Sequence, residues 1–222
     1  MTAFGTDYDG VIINIEPQKA KAFAELLSKE WEVPNSEAFK FWINKGGTSR
    51  RFKFDYFYEK QFNEKLSDND YKYLELKFSS LLKNNFYPNL KLLPSAIELL
   101  KFAKTQFDHT FVSSGIPTEE IQYLTAFNKV TKYFDLILGT GKKFPSKREH
   151  FSKIKSMWGN PDVIFVADSP DDMKLAKSAS FVPIGVTTNH SKARLLESGA
   201  EYVCDLKDVK SILEKFKLNF LL

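Results

Sequence analysis

Two aspartates two residues apart, Asp7 and Asp9 in the segment FGTDYDGVIIN, carry the first chemical signal in this chain. Carboxylates are rarely buried without a partner. One carboxylate of a close pair can act as a nucleophile, and the other can protonate a leaving oxygen and later activate water. Gly10 lets the backbone turn sharply and approach a ligand. Taken alone, DxDG also describes a solvated Asp-Gly turn. Three further segments supply polar groups: Ser113-Ser114-Gly115, the lysines of GTGKKFPSKREHF, and Asp168-Ser169 followed by Asp171 and Asp172. Each follows a short apolar run. If those runs are parallel strands, three or four carboxylates, a hydroxyl and a lysine converge at one sheet edge. Clustered carboxylates repel one another unless a cation sits among them. Oxygen-only ligands suit Mg²⁺, which takes one or two carboxylates, waters and substrate phosphate. His109, His150 and His190 are scattered, which disfavours zinc. A hydroxyl, backbone amides and a lysine would hold a phosphate.

The elements that must bring these groups together are legible from periodicity. The apolar runs are HTFVS (109–113), FDLIL (134–138), VIFVA (163–167), FVPIGV (181–186) and EYVC (201–204), with AFGTD as the first strand. Between them, Ala96, Leu99, Leu100, Ala103 and Phe107 form a helical stripe opened by Pro94-Ser95, and Pro117 takes a plausible first helical position. SPDDMKLAKSA and SKARLLES fill the next gaps. Short strands alternating with helices predict an α/β fold, a parallel sheet covered on both faces. Residues 16–88 differ. Ala20, Phe23, Ala24, Leu27 and Trp31 form one helical stripe; Tyr71, Leu74, Phe78, Leu81 and Leu82 form another, with Ser67 as N-cap and Asp70 three residues on. Of 33 aromatic residues, 15 fall in residues 31–87, enough for a separate helical core. The expected division is therefore a core of residues 1–15 and 89–222, interrupted by a helical insertion at 16–88. An insertion directly after a DxD turn would hang over the C-terminal edge of the sheet, where open parallel sheets bind ligands.

Composition narrows the class. The chain has 222 residues and a net charge of +4, with Lys and Arg spread along its length, so no nucleic-acid partner is expected. Its single cysteine, Cys204, precludes an intramolecular disulfide and is expected as a buried strand residue in a reducing compartment. The first residues lack a basic start and a long apolar run, and no window approaches the ~20 apolar residues of a membrane span. The terminal LNFLL is expected to pack on the body. No membrane association is expected, and cytoplasmic is the default. The chain is expected as a monomer or homodimer.

Taken together, these motifs resemble the haloacid dehalogenase superfamily of phosphohydrolases, over nearly the whole chain. The resemblance implies a Rossmann-like core with an inserted helical cap of the subclass I type. FGTDYDGVI matches the first motif and implies Asp7 as nucleophile and Asp9 as general acid/base, with the Asp9 backbone carbonyl also on Mg²⁺. TFVSSGIP matches the second and implies Ser114, with Gly115, on the phosphate; Ser113 is the rival. In LGTGKKFPSKREHF, Lys147 opens the following helix and is the choice for the third motif, over Lys142 and Lys143. ADSPDDMKLA matches the fourth and implies Asp168 as metal ligand with Asp172 as acidic support, a metal set of Asp7, Asp9, Asp168 and Asp172. KGGTSRRFKF is similar to a cap loop of β-phosphoglucomutase-like and phosphoglycolate-phosphatase-like relatives, placing Arg50 on the substrate's distal part. Three departures stand out: Ala167 replaces a common glycine, Ser180 replaces the usual glycine after the fourth motif's helix, and Asn14 stands where many relatives have aspartate. The reading is a Mg²⁺-dependent phosphatase acting on a small phosphorylated metabolite through an aspartyl-phosphate. A sugar-phosphate mutase on the same scaffold ranks second, because such mutases carry a histidine where Lys19 falls. A phospho-acceptor signalling domain ranks lower; such domains are near half this length and lack the DxD spacing.

Overall fold

The computed structural model describes residues 1–46 and 48–220, with side chains up to Phe216; the expectation for the terminal LNFLL lies outside the described side chains. In chain order, β1 (Thr2–Thr6) is followed by α1 (Glu16–Trp31), α2 (Asn35–Asn44), α3 (Arg50–Phe62) and α4 (Asp68–Leu81). Then come α5 (Ala96–Gln106), β2 (His109–Pro117), α6 (Thr118–Phe127), β3 (Leu136–Thr140), α7 (Lys147–Met157) and β4 (Asp162–Ala167). The chain closes with α8 (Pro170–Ser178), β5 (Val182–Val186), α9 (Lys192–Glu197), β6 (Tyr202–Cys204) and α10 (Val209–Phe220). It divides into two compact units, Met1–Asn14 with Lys91–Leu222, and Ile15–Leu90.

The first unit is a Rossmann-like α/β fold. Its six strands pair in parallel in the order β3-β2-β1-β4-β5-β6. Connections leave β1 in both directions, so the carboxyl ends of β1 and β4 flank the point where the winding reverses, the usual ligand crevice of such sheets. Parallel strands buried on both faces read as continuous apolar runs, which is why β4, VIFVA with Asp162 before it, was visible in the sequence. Phe111, Phe165, Phe151, Ile154, Met173 and Leu195 form the core on one face, beneath α7, α8 and α9. On the other face Phe4 meets Phe107 at the end of α5, with ring centroids 5.6 Å apart.

Several boundaries differ from the sequence reading: β1 lies one residue earlier, β5 and β6 each begin one residue later, the helical unit runs from Ile15 to Leu90 instead of 16–88, and two strand ends differ more. β3 begins two residues later than FDLIL, at Leu136. The Asp135 side chain accepts the Thr110 N–H at 2.9 Å, so this residue serves β2 as a cap and not as a strand residue. Pro117 ends β2 and precedes α6 instead of opening it. Cys204 closes β6 and is half-buried, where burial pushes its thiol up to about 11.

Ser180, just after α8, sits at φ 59°. This left-handed conformation strains any residue with a Cβ, whereas glycine adopts it at no steric cost. Ser180→Gly is expected to raise stability by ~1 kcal/mol, read as a higher urea midpoint at unchanged slope.

The second unit is built of helices. Ser49 and Ser67 cap α3 and α4, their side chains accepting from the N–H groups of Phe52 and Asp70. Phe23 stands at the centre, its ring 5.0 Å from Trp42 and 5.1 Å from Phe54. Lys53 is buried here with its ammonium 4.3 Å from the Trp42 ring centroid, and burial lowers its pKa to about 8. Among the described residues no helix is long and apolar enough to cross a membrane.

Candidate active site

All the core residues singled out by the motifs gather at the carboxyl ends of β1, β2 and β4 and the start of α7. Asp7 follows β1, and its backbone N–H continues the ladder to the Val166 carbonyl at 2.9 Å. Strand alternation then sends Tyr8 to the opposite face. Tyr8 is fully buried, and its hydroxyl donates to the Leu124 carbonyl of α6 at 3.0 Å while accepting from Asn128 Nδ2 at 3.1 Å. Burial holds its phenol above the usual range. Tyr8 is thus an anchor between the two aspartates. Gly10 closes the turn at φ 76°, and a Cβ there would lie 2.1 Å from the Asp168 carboxyl carbon, so only glycine lets Asp168 pack against this loop.

Asp7 is 7% exposed, and both of its carboxylate oxygens are engaged. Oδ1 accepts the Tyr8 N–H at 2.7 Å, and Oδ2 faces Lys147 Nζ at 2.8 Å. Lys147 also meets Asp172 Oδ2 at 2.7 Å. One ammonium therefore serves two carboxylates. Burial alone would lower the lysine's pKa, but Asp172 and Asp7 together hold it above the ordinary value. Asp7 receives only a share of that charge: burial, reinforced by Asp172, pushes its carboxyl up to about 6 against the pull of Lys147.

The start of α7 explains why Lys147, and not Lys142 or Lys143, arrives here. Ser146 and Glu149 form a reciprocal capping box, with Glu149 Oε2 accepting the Ser146 N–H at 2.9 Å. The S-x-x-E spelling fixes the first helical residue as Lys147, whereas Lys142 and Lys143 are exposed in the preceding loop. A cation in the first turn opposes the helix dipole, a local conflict that functional sites tolerate.

One residue that the sequence reading did not place at the site completes this corner. His150 is fully buried one turn along α7, with Nδ1 2.9 Å from Ser113 Oγ and Nε2 3.0 Å from the Gly139 carbonyl. A carbonyl only accepts, so Nε2 carries the proton and Nδ1 accepts from Ser113. Ser113 is thereby committed to His150. Ser114, also buried, accepts the Ile116 N–H at 3.2 Å. At Gly115 a Cβ would meet nothing within 4 Å, so the backbone beside Ser114 borders open space. Burial, aided by the Lys147 charge and opposed by the bond to Gly139, lowers His150 to about 4. The sign follows: the unfolded chain takes up a proton near pH 6.5 that the fold refuses. The neutral histidine's contribution is complete above pH 6.5 and lost as pH falls toward 4, roughly 3 kcal/mol in all. His150→Gln is expected to remove that slope, so its stability gap to wild type narrows between pH 7 and 4.5 in urea titrations. Parallel pH profiles would show that His150 titrates normally.

Asp168, 7% exposed after β4, is crowded. Burial raises its pKa well above the ordinary value, and the charges of Asp9 and Asp7 add to the rise. Asn189 Nδ2 donates to its Oδ2 at 2.6 Å, and neighbouring Thr188 donates to the Gly10 carbonyl at 2.6 Å. Nothing in the generic TTNH segment signals these contacts. Asp172 is placed on Lys147. Among the described residues no three His, Cys, Asp or Glu side chains form a ready-made metal cage. The donors that converge are nonetheless carboxylate oxygens whose mutual repulsion a cation would relieve, and a few carboxylates completed by water and phosphate are what Mg²⁺ takes. Arg50 opens α3 in the helical unit, where Nη1 donates to Ser79 Oγ at 3.1 Å and the guanidinium lies 5.0 Å from the Phe78 ring centroid.

Comparisons with known proteins bear on the family and the fold. Residues 6–186 match the profile of a family described as haloacid dehalogenase-like hydrolase. A phosphoglycolate phosphatase of Mannheimia succiniciproducens is 25% identical over 194 residues, 84% of this chain and 86% of the relative. The 2-deoxyglucose-6-phosphate phosphatase 1 of Saccharomyces cerevisiae is 26% identical over 227 residues, 93% of this chain and 88% of the relative. The fold is shared with a haloacid dehalogenase-like hydrolase from Streptococcus pneumoniae, with a TM-score of 0.78 at 20% identity over 96% of this chain and 98% of the other. It is shared too with a predicted phosphoglycolate phosphatase from Haemophilus somnus, with a TM-score of 0.79 at 22% identity over 95% and 97%.

Proposed function

The chain belongs to the haloacid dehalogenase-like hydrolases, and we propose that it is a Mg²⁺-dependent, cytoplasmic phosphatase of small phosphorylated metabolites. The observation that carries this reading is Asp7: a buried carboxylate at the winding reversal, oriented by the Tyr8 amide and by Lys147. In the proposed reaction an Asp7 oxygen attacks phosphorus, the ester P–O bond breaks, and Asp9 gives its proton to the departing alcohol. Asp9 then takes a proton from water as that water attacks the aspartyl-phosphate, releasing inorganic phosphate and restoring Asp7. Lys147 offsets the charge of the transferring group, and Asp172 holds Lys147 in place. The Ser114 hydroxyl and the amide at Gly115 hold phosphate oxygens. Asp7, Asp168 and the Asp9 carbonyl are the groups that would hold Mg²⁺, which supplies charge stabilisation to the phosphoryl oxygens when bound. Arg50 is assigned to the distal, charged end of the substrate on the resemblance of its loop. Mutase chemistry is the weaker reading, since Lys19 stands where those relatives carry histidine and is paired with Glu16 at 3.4 Å.

The test is phosphate release from p-nitrophenyl phosphate with and without Mg²⁺, followed by a metabolite panel that includes 2-phosphoglycolate and 2-deoxyglucose 6-phosphate, the compounds in the relatives' names. Mg²⁺-dependent release supports the reading. Absence of release from every compound, with the protein folded and Mg²⁺ present, would overturn it.

A further inference from the structure

We propose that Asn189 is a positioning residue that aims the Asp168 carboxylate at the cation, an assignment that rests on the metal reading above. The segment after β5 reaches both halves of the site. Thr187 Oγ1 donates to Asp205 Oδ1 at 2.6 Å, tying the segment to the residue that follows β6. Thr188 grips the Gly10 carbonyl in the DxDG turn, and Asn189 grips Asp168 Oδ2.

The orientation of the Asn189 amide is set by a second amide. With Asp168 ionised, as a metal ligand must be, the Asn189 Nδ2 faces it, because the reverse orientation would set two acceptor oxygens 2.6 Å apart. Its Oδ1 therefore points at Asn14, whose Nδ2 donates to it at 3.3 Å. That arrangement leaves Asn14 Oδ1 buried without a hydrogen-bond partner. A buried orphan acceptor is unfavourable, and turning the Asn14 amide would put its oxygen against Asn189 Oδ1. The relay Asn14–Asn189–Asp168 thus retains an unsatisfied group and keeps one Asp168 oxygen capped. With Oδ2 held by Asn189 and the carboxyl group packed against Gly10, rotation of the Asp168 carboxylate is restricted. Partners that orient a metal-ligating carboxylate act through affinity for the metal.

The experiment is calorimetric titration of the metal-stripped protein with Mg²⁺, without substrate, for wild type, Asn189→Leu, Asn14→Leu, the double variant and Asp168→Asn, each checked for its melting temperature. Asn189→Leu is expected to weaken Mg²⁺ binding about 10–100-fold. Asn14→Leu is expected to weaken it several-fold, and to have no further effect once Asn189 is Leu, since the first amide acts through the second. If Asp168→Asn abolishes binding while Asn189→Leu binds within twofold of wild type, the assignment is overturned and the metal reading stands. Additive effects of Asn14→Leu and Asn189→Leu also overturn it. If wild type and Asp168→Asn bind alike, or neither binds, both readings fall. Should Asn189→Leu not fold, Asn14→Leu alone decides: wild-type affinity overturns the relay.

Discussion

Asp7→Asn is expected to lower phosphate release by a factor of about 10⁴ or more while leaving the protein at least as stable as wild type. The activity half follows from chemistry: an amide oxygen is a poor nucleophile, and no other described carboxylate shares the position of Asp7 beside both the Tyr8 amide and Lys147. The stability half follows from burial. Asp7 titrates at about 6 against an ordinary 3.8. For an acid whose folded value is raised, the fold is favoured when the group is neutral, and that preference is lost as pH rises from 3.8 through 6. Above pH 7 the ionised Asp7 therefore costs roughly 3 kcal/mol relative to a neutral group of the same shape. Asparagine is such a group. Its oxygen still accepts the Tyr8 N–H, and Lys147 keeps Asp172. In EDTA at pH 8, Asp7→Asn should melt at or above the wild-type temperature. Turnover near wild type would remove Asp7 from the chemistry. A melting point several degrees lower would mean that the Asp7–Lys147 attraction outweighs the burial of Asp7.

That opposition of activity and stability marks where the sequence could be read and where it could not. The strands were legible because both sheet faces are covered: VIFVA and FVPIGV have no polar alternation to confuse them. The motif groups were legible because each follows such a run directly, so a parallel sheet had to bring Asp7, Ser114 and Asp168 to one edge. SKRE carried more than its lysine, since a capping box states where a helix begins and so which lysine opens it. The supporting residues left no such trace. His150 meets Ser113 and Gly139 only through the packing of α7 on β2 and β3, 37 and 11 residues away in sequence. Asn189 touches Asp168 across 21 residues from a segment whose composition fits any loop. Side chains that perform chemistry carry their type and spacing in the sequence. Side chains that orient them are specified by tertiary contact, and a single sequence holds no periodic signal for that. Even strand edges obey this rule: Asp135 left the run FDLIL because the Thr110 N–H needed an acceptor.

Lys147→Ala is expected to be the most destabilising single change at the site, by about 3–5 kcal/mol at pH 8. The lysine side chain is 12% exposed, between the side chains of Asp7 and Asp172, which are 10% and 9% exposed. Removing it strands two buried carboxylates side by side, and their mutual repulsion is no longer offset. The loss should therefore depend on pH and on the partners. With the ammonium gone, the fold binds protons that the unfolded chain releases just above pH 3.8, so the deficit relative to wild type narrows as pH falls from 8 toward 5. Asp172→Asn in the same chain removes one stranded charge and should restore a large part of the loss, an interaction well outside additivity for residues in direct contact. Urea unfolding of the four proteins at pH 8 and pH 5 measures both effects. The competing explanation is packing: the ammonium sits 6.0 Å from the Phe165 ring centroid, so the truncated stem leaves apolar surface unfilled. A packing loss is indifferent to protons and to Asp172. A deficit equal at both pH values and untouched by Asp172→Asn would thus assign Lys147 to the core of the fold, and its charge would no longer account for the state of Asp7.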